Sequence, residues 1–192
     1  MGTPMPATEP DDPLDAALCI ASALESRGIG YAIGGALAYG LWAVPRATID
    51  VDVNIFVGEP GLSNVIDLLR TLGVRIDAEE ARRQNEREGM LVGRWGLYRI
   101  DVFTPSIDFS WEAERTRVRH EIAGRFAWFL SAEAISVFKL LFFRAKDIGD
   151  IERLVALRPE LDRTYIREQI VAMMGEGDER VAEWDRIVSE HP

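Results

Sequence analysis

Two aspartates set two residues apart, Asp50 and Asp52, are the side chains whose spacing most directly predicts chemistry in this chain. They alternate with apolar residues in the run IDVDVNIFV, which is typical of a strand with one apolar face. Residues i and i+2 of a strand share a face, so the two carboxylates point the same way. Such a pair can hold Mg²⁺, with Mn²⁺ as a substitute, because these ions prefer oxygen ligands and Mg²⁺ commonly binds carboxylates together with substrate phosphates. An isolated Asp-x-Asp can also be a solvated strand edge.

A glycine pair upstream supplies the second half of the argument. Gly34 and Gly35 follow a short apolar run and precede a predicted short helix at residues 36–42. Glycines at a helix start let backbone N–H groups approach an anion closely, and the helix dipole favours negative charge there. The turn therefore predicts a cradle for a triphosphate, although Gly-Gly is also common in ordinary turns. Arg46 and Thr48 lie between this turn and the carboxylates.

The order Gly-Gly, short helix, Arg, Thr, Asp-x-Asp resembles the nucleotidyltransferase signature of the DNA polymerase β superfamily. Its form GG…R.T.D.D is that of the AbiEii-like toxin nucleotidyltransferases, which include the mycobacterial MenT group. Small-molecule antibiotic adenylyltransferases have a similar version. The resemblance implies that the Gly, Arg and Thr residues bind the nucleotide, and that the two Asp residues bind metal and carry catalysis. The matching residues are Gly34, Gly35, Arg46, Thr48, Asp50 and Asp52.

A second cluster at residues 131–150, SAEAISVFKLLFFRAKDIGD, resembles the K…R.KD..D helical motif of AbiEii-type proteins. The resemblance thus extends from about residue 31 to about residue 154. It implies a catalytic and phosphate-binding or substrate-binding role for Lys139. It also ranks Asp150 above Asp147, because the last Asp of the motif is the one usually assigned function. The matching residues are Lys139, Arg144, Lys146, Asp147 and Asp150.

Other interpretations of this second cluster stay open from the residues alone. Lys139 lies among apolar residues of a predicted helix, where a lysine can simply extend its stem along the core toward solvent. A point charge on a rigid helix equally suits a triphosphate. Asp147 and Asp150 share a helix face. They can also be first-turn carboxylates that stabilise the N-terminus of a helix ending at residue 157.

Asp101 is the third carboxylate of interest. It interrupts the β-rich run LYRIDVF at residues 97–103. Superfamily members commonly take a third carboxylate from a neighbouring strand, where it completes a two-metal site and acts as a base toward the attacking hydroxyl. The alternative is an ordinary aspartate near the end of a strand.

Acidic composition limits the kind of nucleic-acid contact that this chain can make. The formal net charge of −10 argues against broad nucleic-acid binding, which normally needs a basic domain. A local contact is still expected where Arg115, Arg117 and Arg119 alternate along a predicted strand at residues 115–122, because same-face spacing makes a charged stripe suited to an RNA backbone. The alternative is a solvated surface paired with neighbouring glutamates.

Thr48 is a candidate site of regulatory modification. If the strand extends back to this residue, its hydroxyl points with Asp50 and Asp52 toward the metal and the incoming phosphates. A phosphoryl group there would add roughly −1.5 to −2 charge and three acceptor oxygens. Phosphorylation or nucleotidylation of Thr48 is therefore predicted to switch the site off.

The function implied by the resemblance is that of a metal-dependent nucleotidyltransferase using a nucleoside triphosphate. Similarity to the MenT group implies a toxin that adds pyrimidine nucleotides to the 3′ end of tRNA and blocks translation, with a cognate antitoxin as partner. The first alternative is an adenylyltransferase that uses ATP to modify a small molecule or a protein. A non-catalytic regulatory module is a further alternative, against which the intact Asp50 and Asp52 count.

Composition and missing motifs narrow the remaining classes. The 192 residues, 47% of them apolar, suffice for one core or for a main domain with a small helical one. No apolar run approaches the roughly 20 residues of a membrane span, and the acidic, proline-rich start lacks the features of a signal peptide. Cys19 is the one cysteine, so no disulfide framework is expected and a cytoplasmic location is predicted. Only two histidines occur, which excludes a multi-histidine metal site.

The predicted architecture is an α/β (α+β) fold: a polymerase β-like nucleotidyltransferase core with a mixed sheet, followed by a C-terminal helical bundle. The predicted division is a loose segment at 1–11, the core at 12–130 and the helical region at 131–192. Predicted helices lie at residues 13–26, 36–42, 62–72, 132–145, 148–157, 163–174 and 179–189. Predicted strands lie at residues 31–33, 50–57, 74–76, 90–95, 98–103, 115–122 and 125–129.

Overall fold

The computed structural model describes residues 9–191, so the first eight residues of the predicted loose segment 1–11 lie outside the described part. Helices and strands alternate in the first two thirds of the chain, and helices alone follow. The elements in chain order are α1 (Pro13–Ser26), β1 (Tyr31–Ile33), α2 (Gly35–Trp42), β2 (Asp50–Ile55), α3 (Glu59–Thr71), α4 (Ala78–Glu88), β3 (Met90–Trp95), β4 (Tyr98–Phe103), α5 (Phe109–Thr116), β5 (Val118–Ile122), β6 (Arg125–Phe129), α6 (Ala132–Phe142), α7 (Ala145–Leu157), α8 (Arg163–Met174) and α9 (Glu179–Glu190).

The strands form one mixed sheet with the order β3-β4-β2-β1-β6-β5. Strand β2 pairs in parallel with β4 and antiparallel with β1, while β1 pairs in parallel with β6. The pairs β3/β4 and β5/β6 are antiparallel hairpins. The predicted mixed α/β fold is confirmed. Its central strand, β2, carries Asp50 and Asp52 between a neighbour on each side.

Helix α1 forms where the sequence signals predict it. The Asp12 side chain accepts a hydrogen bond from the backbone N–H of Asp15 at 2.7 Å, and Pro13 occupies the first turn, where its missing N–H costs nothing. The helix packs its buried face against β1, β2 and β6. Ile20 and Leu24 are fully buried there, and each such side chain contributes roughly 1.5–3 kcal/mol.

Several parts of the chain differ from the predicted elements. The expected strand at 115–122 is instead the end of α5, which stops at Thr116, followed by β5. The expected strand at 74–76 is reduced to a single bridge from Arg75 to Arg94. Helix α4 was not predicted, although Asp77 caps its N-terminus and Gly89 ends it at φ 65°. Helix α4 was missed because charged residues dominate its sequence and Ala81 is its one buried residue.

The four C-terminal helices pack as a layer whose apolar residues join the core of the sheet. Helix α6 contacts α2, α7, α8 and α9, so it lies between the first half of the chain and the rest of the helices. Leu140, Ile166 and Trp184 are buried in this layer. The indole of Trp42 donates to the backbone carbonyl of Leu130 at 2.8 Å, which ties α2 to the chain just before α6. Within residues 9–191, no helix has the length and apolar character needed to cross a bilayer.

Candidate active site

Three carboxylates meet on two neighbouring parallel strands. In the register of β2 with β4, Asp52 stands opposite Asp101, and Asp50 stands opposite Arg99. Residues directly opposite one another in a sheet point to the same face, so all three carboxylates share one face. The sequence predicted this for Asp50 and Asp52. Asp50 is exposed at the first position of β2, whereas Asp52 and Asp101 are partly buried.

The pKa values of Asp52 and Asp101 are both raised above the usual value for an aspartate. The pKa of Asp52 is raised to about 6, mainly by burial and next by the charges of Asp101 and Asp50, while Lys139 and Lys146 oppose the shift. Burial also raises the pKa of Asp101, against the hydrogen bond and charge of Arg99. A carboxylate pushed this far toward its neutral form is one that a nearby cation would return to the charged form.

The donor set at this place suits a small divalent cation that also binds phosphate. No group of three His, Cys, Asp or Glu side chains within residues 9–191 is arranged so that it could hold a metal ion as it stands. Arg99 Nε donates a hydrogen bond to Asp101 Oδ1 at 2.7 Å. Asp50 and Asp52 form no ion pair with any described residue, and two carboxylates plus substrate phosphates are a normal Mg²⁺ set. Asp101 as a third ligand remains a prediction.

The glycine turn packs directly against Asp52. Gly34 caps α2, and its N–H donates to the Asp52 carbonyl at 2.9 Å. Gly35 has a φ of 52°, and a Cβ there would lie 1.9 Å from Asp52 Oδ2. A Cβ on Gly34 would lie 2.7 Å from the Asn54 amide nitrogen. Both positions therefore need glycine for close approach, and the predicted helix start lies beside the predicted metal ligands.

Lys139 does not extend to solvent. Its Nζ lies 2.6 Å from Asp150 Oδ2 and 3.1 Å from Asp147 Oδ1, and both aspartates are 1% exposed. The ammonium also lies 5.5 Å from the ring centre of Tyr39 on α2. The simple snorkelling alternative is wrong, because the charged end of Lys139 is the buried part of a hydrogen-bonded group.

Two arginines complete this group, which we call the Lys139 cluster: Lys139, Arg46, Arg144, Asp147 and Asp150. Arg46 holds both carboxylate oxygens of Asp150, at 3.2 and 3.0 Å, and Arg144 Nε lies 2.5 Å from Asp147 Oδ2. Burial tends to raise the pKa of Asp147, but Arg144 and Lys139 outweigh it and hold that pKa below its usual range. Three cations surround two carboxylates, so the cluster is positive overall. Asp147 does lie in the first turn of α7, yet its carboxylate is committed to side-chain cations.

The Lys139 cluster lies close enough to the sheet carboxylates for the two groups to interact. The charges of Lys139 and Lys146 lower the pKa of Asp52, and the Asp52 charge contributes to a raised pKa of Arg144, for which the Asp147 hydrogen bond is the main cause. Helix α6 also packs on α2, which follows the glycine turn. The three sheet carboxylates, Asp50, Asp52 and Asp101, therefore form an acidic wall. It lies near a basic wall, which is the Lys139 cluster. An arrangement of this kind can hold a metal ion and a polyphosphate together.

Comparison with known proteins agrees with this arrangement at the level of the fold. No protein-family model matches the chain, and no curated protein sequence matches it significantly. The solution structure of the antibiotic-resistance factor ANT(2'')-Ia superposes with a TM-score of 0.60 at 19% identity, covering 94% of this chain and 100% of that one. The chain has a nucleotidyltransferase fold. At this identity the likeness establishes the fold alone.

Two further structures carry the same nucleotidyltransferase fold. The crystal structure of ANT(2'')-Ia with adenylyl-2''-tobramycin gives a TM-score of 0.54 at 17% identity, covering 90% of this chain and 95% of that one. Lincomycin-bound LnuA, a lincosamide antibiotic adenylyltransferase, gives 0.50 at 15% identity, covering 72% and 94%. These neighbours share the fold that the sequence motifs predict, and they do not select the AbiEii or MenT branch.

Thr48 occupies a different position in this nucleotidyltransferase fold from the one predicted. Strand β2 begins at Asp50, and Thr48 lies in the irregular segment before it. Its hydroxyl accepts from the Asp50 N–H at 3.0 Å and lies 3.2 Å from the Asp50 carbonyl oxygen. The expectation that strand geometry aligns Thr48 with the carboxylates is wrong, because the hydroxyl folds onto the backbone. Thr48 as a modification site remains a prediction.

The three predicted RNA-binding arginines do not form a stripe. Arg115 lies in α5 and pairs with Glu112 at 2.5 Å, while Arg117 lies just after that helix and stacks 4.7 Å from the Trp128 ring centre. Only Arg119 lies on β5. The same-face prediction fails because the helix persists to Thr116. A role for these arginines in RNA contact is left as a prediction for separate residues.

Two residues that contact the predicted site residues were not predicted from the sequence. Arg99 was not selected, although it stands two residues before Asp101 and so shares its strand face. Tyr39 was also missed; its ring lies 5.7 Å from the Arg46 guanidinium and 5.5 Å from the Lys139 ammonium. The period of two could have revealed Arg99. No local signal marks Tyr39, whose role depends on α2 packing against α6.

Proposed function

We propose that this protein is a Mg²⁺-dependent nucleotidyltransferase that transfers a nucleoside monophosphate from a nucleoside triphosphate to an acceptor hydroxyl and releases pyrophosphate. The observation that carries the proposal is the contact of the Gly34-Gly35 turn with Asp52. It puts the N-terminus of a helix, which suits phosphate, beside two carboxylates that suit the metal of a bound nucleotide. The positive Lys139 cluster nearby supplies the opposite charge.

Each residue has a defined part in the proposed reaction. Asp50 and Asp52 would hold Mg²⁺ on the triphosphate, where the ion supplies charge neutralisation for the entering and departing oxygens. The glycine turn would cradle the phosphates through backbone N–H groups. The acceptor hydroxyl attacks the α-phosphorus in line and pyrophosphate leaves. Asp101, whose pKa is raised by burial, is placed to accept the proton of that hydroxyl.

Lys139 and Asp150 have different parts in this proposal. A lysine ammonium has three donors, and two of them are given to Asp147 and Asp150, so one is left for a phosphate oxygen. Asp150 is buried and bonded to both Lys139 and Arg46. We therefore assign Asp150 as a positioning residue that orients these cations, in place of the catalytic role expected from the motif.

The acceptor is proposed from the sequence motifs. The motifs GG…R.T.D.D and K…R.KD..D support an AbiEii-type toxin. By resemblance to the MenT group, its acceptor would be the 3′ end of tRNA, which would be extended with pyrimidine nucleotides so that translation is blocked. A cognate antitoxin is then the expected protein partner and the cytoplasm the expected location. Arg115, Arg117 and Arg119 stay candidates for RNA contact as single residues.

A second candidate activity is favoured by the structural neighbours. ANT(2'')-Ia with adenylyl-2''-tobramycin and the adenylyltransferase LnuA both share the fold. An enzyme of that kind would use the same metal and phosphate residues with ATP, and would modify a small molecule or a protein. A non-catalytic module is less well supported, because Asp50 and Asp52 are intact and positioned together.

The test is a transfer assay with each of the four α-³²P-labelled nucleoside triphosphates and Mg²⁺. One set of reactions contains total tRNA, a second contains a panel of aminoglycosides and lincosamides, and a third contains no acceptor. Label on tRNA, from CTP or UTP, supports the toxin activity; label on a small molecule, from ATP, supports the alternative. The Asp52→Asn variant and EDTA are the controls. Label transfer that survives both would refute the proposed metal site.

A further inference from the structure

Two aromatic residues, Phe103 and Phe142, pack together near the acidic wall. Phe103 follows Asp101 by two residues on β4 and so shares its face. The rings of Phe103 and Phe142 have their centres 6.1 Å apart at an interplanar angle of 59°, and the Arg144 guanidinium lies 4.9 Å from the Phe142 ring centre. Phe142 is nevertheless 49% exposed. We call Phe103, Phe142 and Arg144 the Phe142 platform.

The Phe142 platform is next to the predicted phosphate site on both β4 and α6. Phe103 lies two positions after Asp101, roughly 7 Å along the strand. Lys139 and Phe142 are three residues apart on α6, so they are neighbours on the helix surface. The platform thus borders the carboxylates through β4 and the phosphate-binding ammonium through α6. A nucleotide whose phosphates lie between these groups has its base within reach of Phe142.

The turn that builds the platform is strained. Phe143 ends α6 with a φ of 52°, a left-handed conformation that is costly for a bulky side chain. The Arg180 guanidinium lies 5.3 Å from the Phe143 ring centre. The sharp turn brings Arg144 back over Phe142 while its Nε bonds Asp147. Strain of this kind persists where the surrounding contacts fix one conformation, so the platform is held in a defined place.

We propose that the Phe142 platform is the stacking surface for the base of the bound nucleoside triphosphate. This inference rests on the proposed function and adds the part of the site that binds the base. The base would lie on the exposed surface made by the Phe142 ring and the Arg144 guanidinium plane, since aromatic rings and guanidinium planes both stack on bases. A stacking surface accepts every base, so it fixes where the base lies more than which base is chosen.

The experiment compares a ligand that has a base with one that has none. Isothermal titration measures the Kd of Mg²⁺ with a non-hydrolysable nucleoside triphosphate, and of Mg²⁺ with inorganic tripolyphosphate. In Phe142→Ala the Kd for the nucleotide should rise about tenfold, in line with the loss of one stacked base. The Kd for tripolyphosphate should stay within about twofold, because Lys139 and the glycine turn are untouched.

A matched control is available toward the opposite edge of the sheet. Phe126 on β6 is also exposed, at 54%, and the Arg119 guanidinium lies 5.0 Å from its ring centre. Phe126→Ala therefore removes an arginine-stacked phenylalanine away from the site, and should change neither Kd. Phe142→Trp keeps a stacking surface, so it should retain nucleotide affinity and show fluorescence quenching by the nucleotide but not by tripolyphosphate.

The outcomes separate this inference from the proposed function. Equal weakening of both ligands in Phe142→Ala would make the residue structural and overturn the inference. An unchanged nucleotide Kd in that variant, with transfer activity intact in the wild type, would also overturn it while leaving the proposed function standing. A wild-type protein that binds neither ligand in the presence of Mg²⁺ would refute both.

Discussion

Aspartates occupy two places in this molecule, and their surroundings differ in kind. On the sheet, Asp50 and Asp52 lack cationic partners among the described residues, and the pKa of Asp52 is raised to about 6 by burial and by its acidic neighbours. On the helices, Asp147 and Asp150 are more deeply buried, yet each is bonded to two or more cations.

The difference teaches which carboxylates serve the fold and which serve a ligand. A buried acid that is fully paired holds its partners in place, and removing one partner is destabilising because it leaves an uncompensated charge. A buried acid that repels its neighbours costs stability and is kept for another reason, such as binding a cation. Asp52 belongs to the second kind and the helix carboxylates to the first.

The largest expected effect is the loss of activity when the sheet carboxylates are changed. Asp50→Asn and Asp52→Asn should each lower transfer by at least about 10³-fold, because a metal ion supplies several kcal/mol of transition-state stabilisation. Circular dichroism should show an intact fold in both variants. Full transfer activity in either variant would show that the substituted carboxylate does not bind the metal, and the comparison with the helix carboxylates would fail.

Changing a helix carboxylate should instead lower stability. Asp150→Asn leaves Lys139 and Arg46 without their shared anion, and we expect the free energy of unfolding to fall by about 3 kcal/mol. Urea denaturation measures this loss, with Arg153→Gln as a control, because Arg153 is exposed and lies 3.7 Å from Asp150. Wild-type stability combined with lost activity would show that Asp150 acts on the substrate directly and is not a positioning residue.

The pH dependence of stability should reveal the raised pKa of Asp52. Because its folded pKa is raised above the usual 3.8 to about 6, the folded state holds this proton more tightly than the unfolded state. The metal-free protein therefore loses stability from this group as the pH rises from about 4 to 6. Relative to wild type, Asp52→Asn should gain on the order of 1–2 kcal/mol above pH 6, allowing for solvent screening, and almost nothing near pH 4. A difference that does not change with pH would contradict the raised pKa.

The smallest effect is expected at Thr48. Thr48→Val removes the two hydroxyl contacts with the Asp50 backbone, and each such hydrogen bond contributes roughly 0.5–1.5 kcal/mol, so the start of β2 should loosen with a modest rise in KM for the nucleotide. Thr48→Glu adds charge beside Asp50 and should reduce activity further if modification here is a switch. Equal activity of the two variants would remove Thr48 from consideration as a regulatory site.

Local periodicity explains what the sequence could predict of the acidic wall. The alternation around Asp50 and Asp52 predicts a strand, and the position of Asp101 in a second apolar run predicts a neighbouring strand. The glycine pair marks the start of α2 because only glycine tolerates the close approach and the positive φ at Gly35. Each of these features depends on residues within a few positions of one another.

The partners of the basic wall could not be predicted in the same way. Lys139 meets Asp147 and Asp150 only because the chain turns at Phe143 in a left-handed conformation that the sequence does not advertise. Arg46 reaches Asp150 across more than a hundred residues. The predicted arginine stripe failed for a different reason: alternation at 115, 117 and 119 resembles a strand, but α5 continues through Thr116, and Arg115 pairs with Glu112 one turn earlier.

The most direct test of the central claim is the thermal stability of wild type and Asp52→Asn with and without Mg²⁺ and a non-hydrolysable nucleoside triphosphate. Without ligand at pH 7.5, the account predicts that Asp52→Asn is the more stable protein, because the buried charge, which Asp101 and Asp50 also repel, is gone. With saturating ligand the order should reverse, because only the wild type retains both carboxylates for the metal. If Asp52→Asn stays the more stable protein by the same margin under both conditions, Asp52 does not bind the metal of a nucleotide and the central claim is wrong.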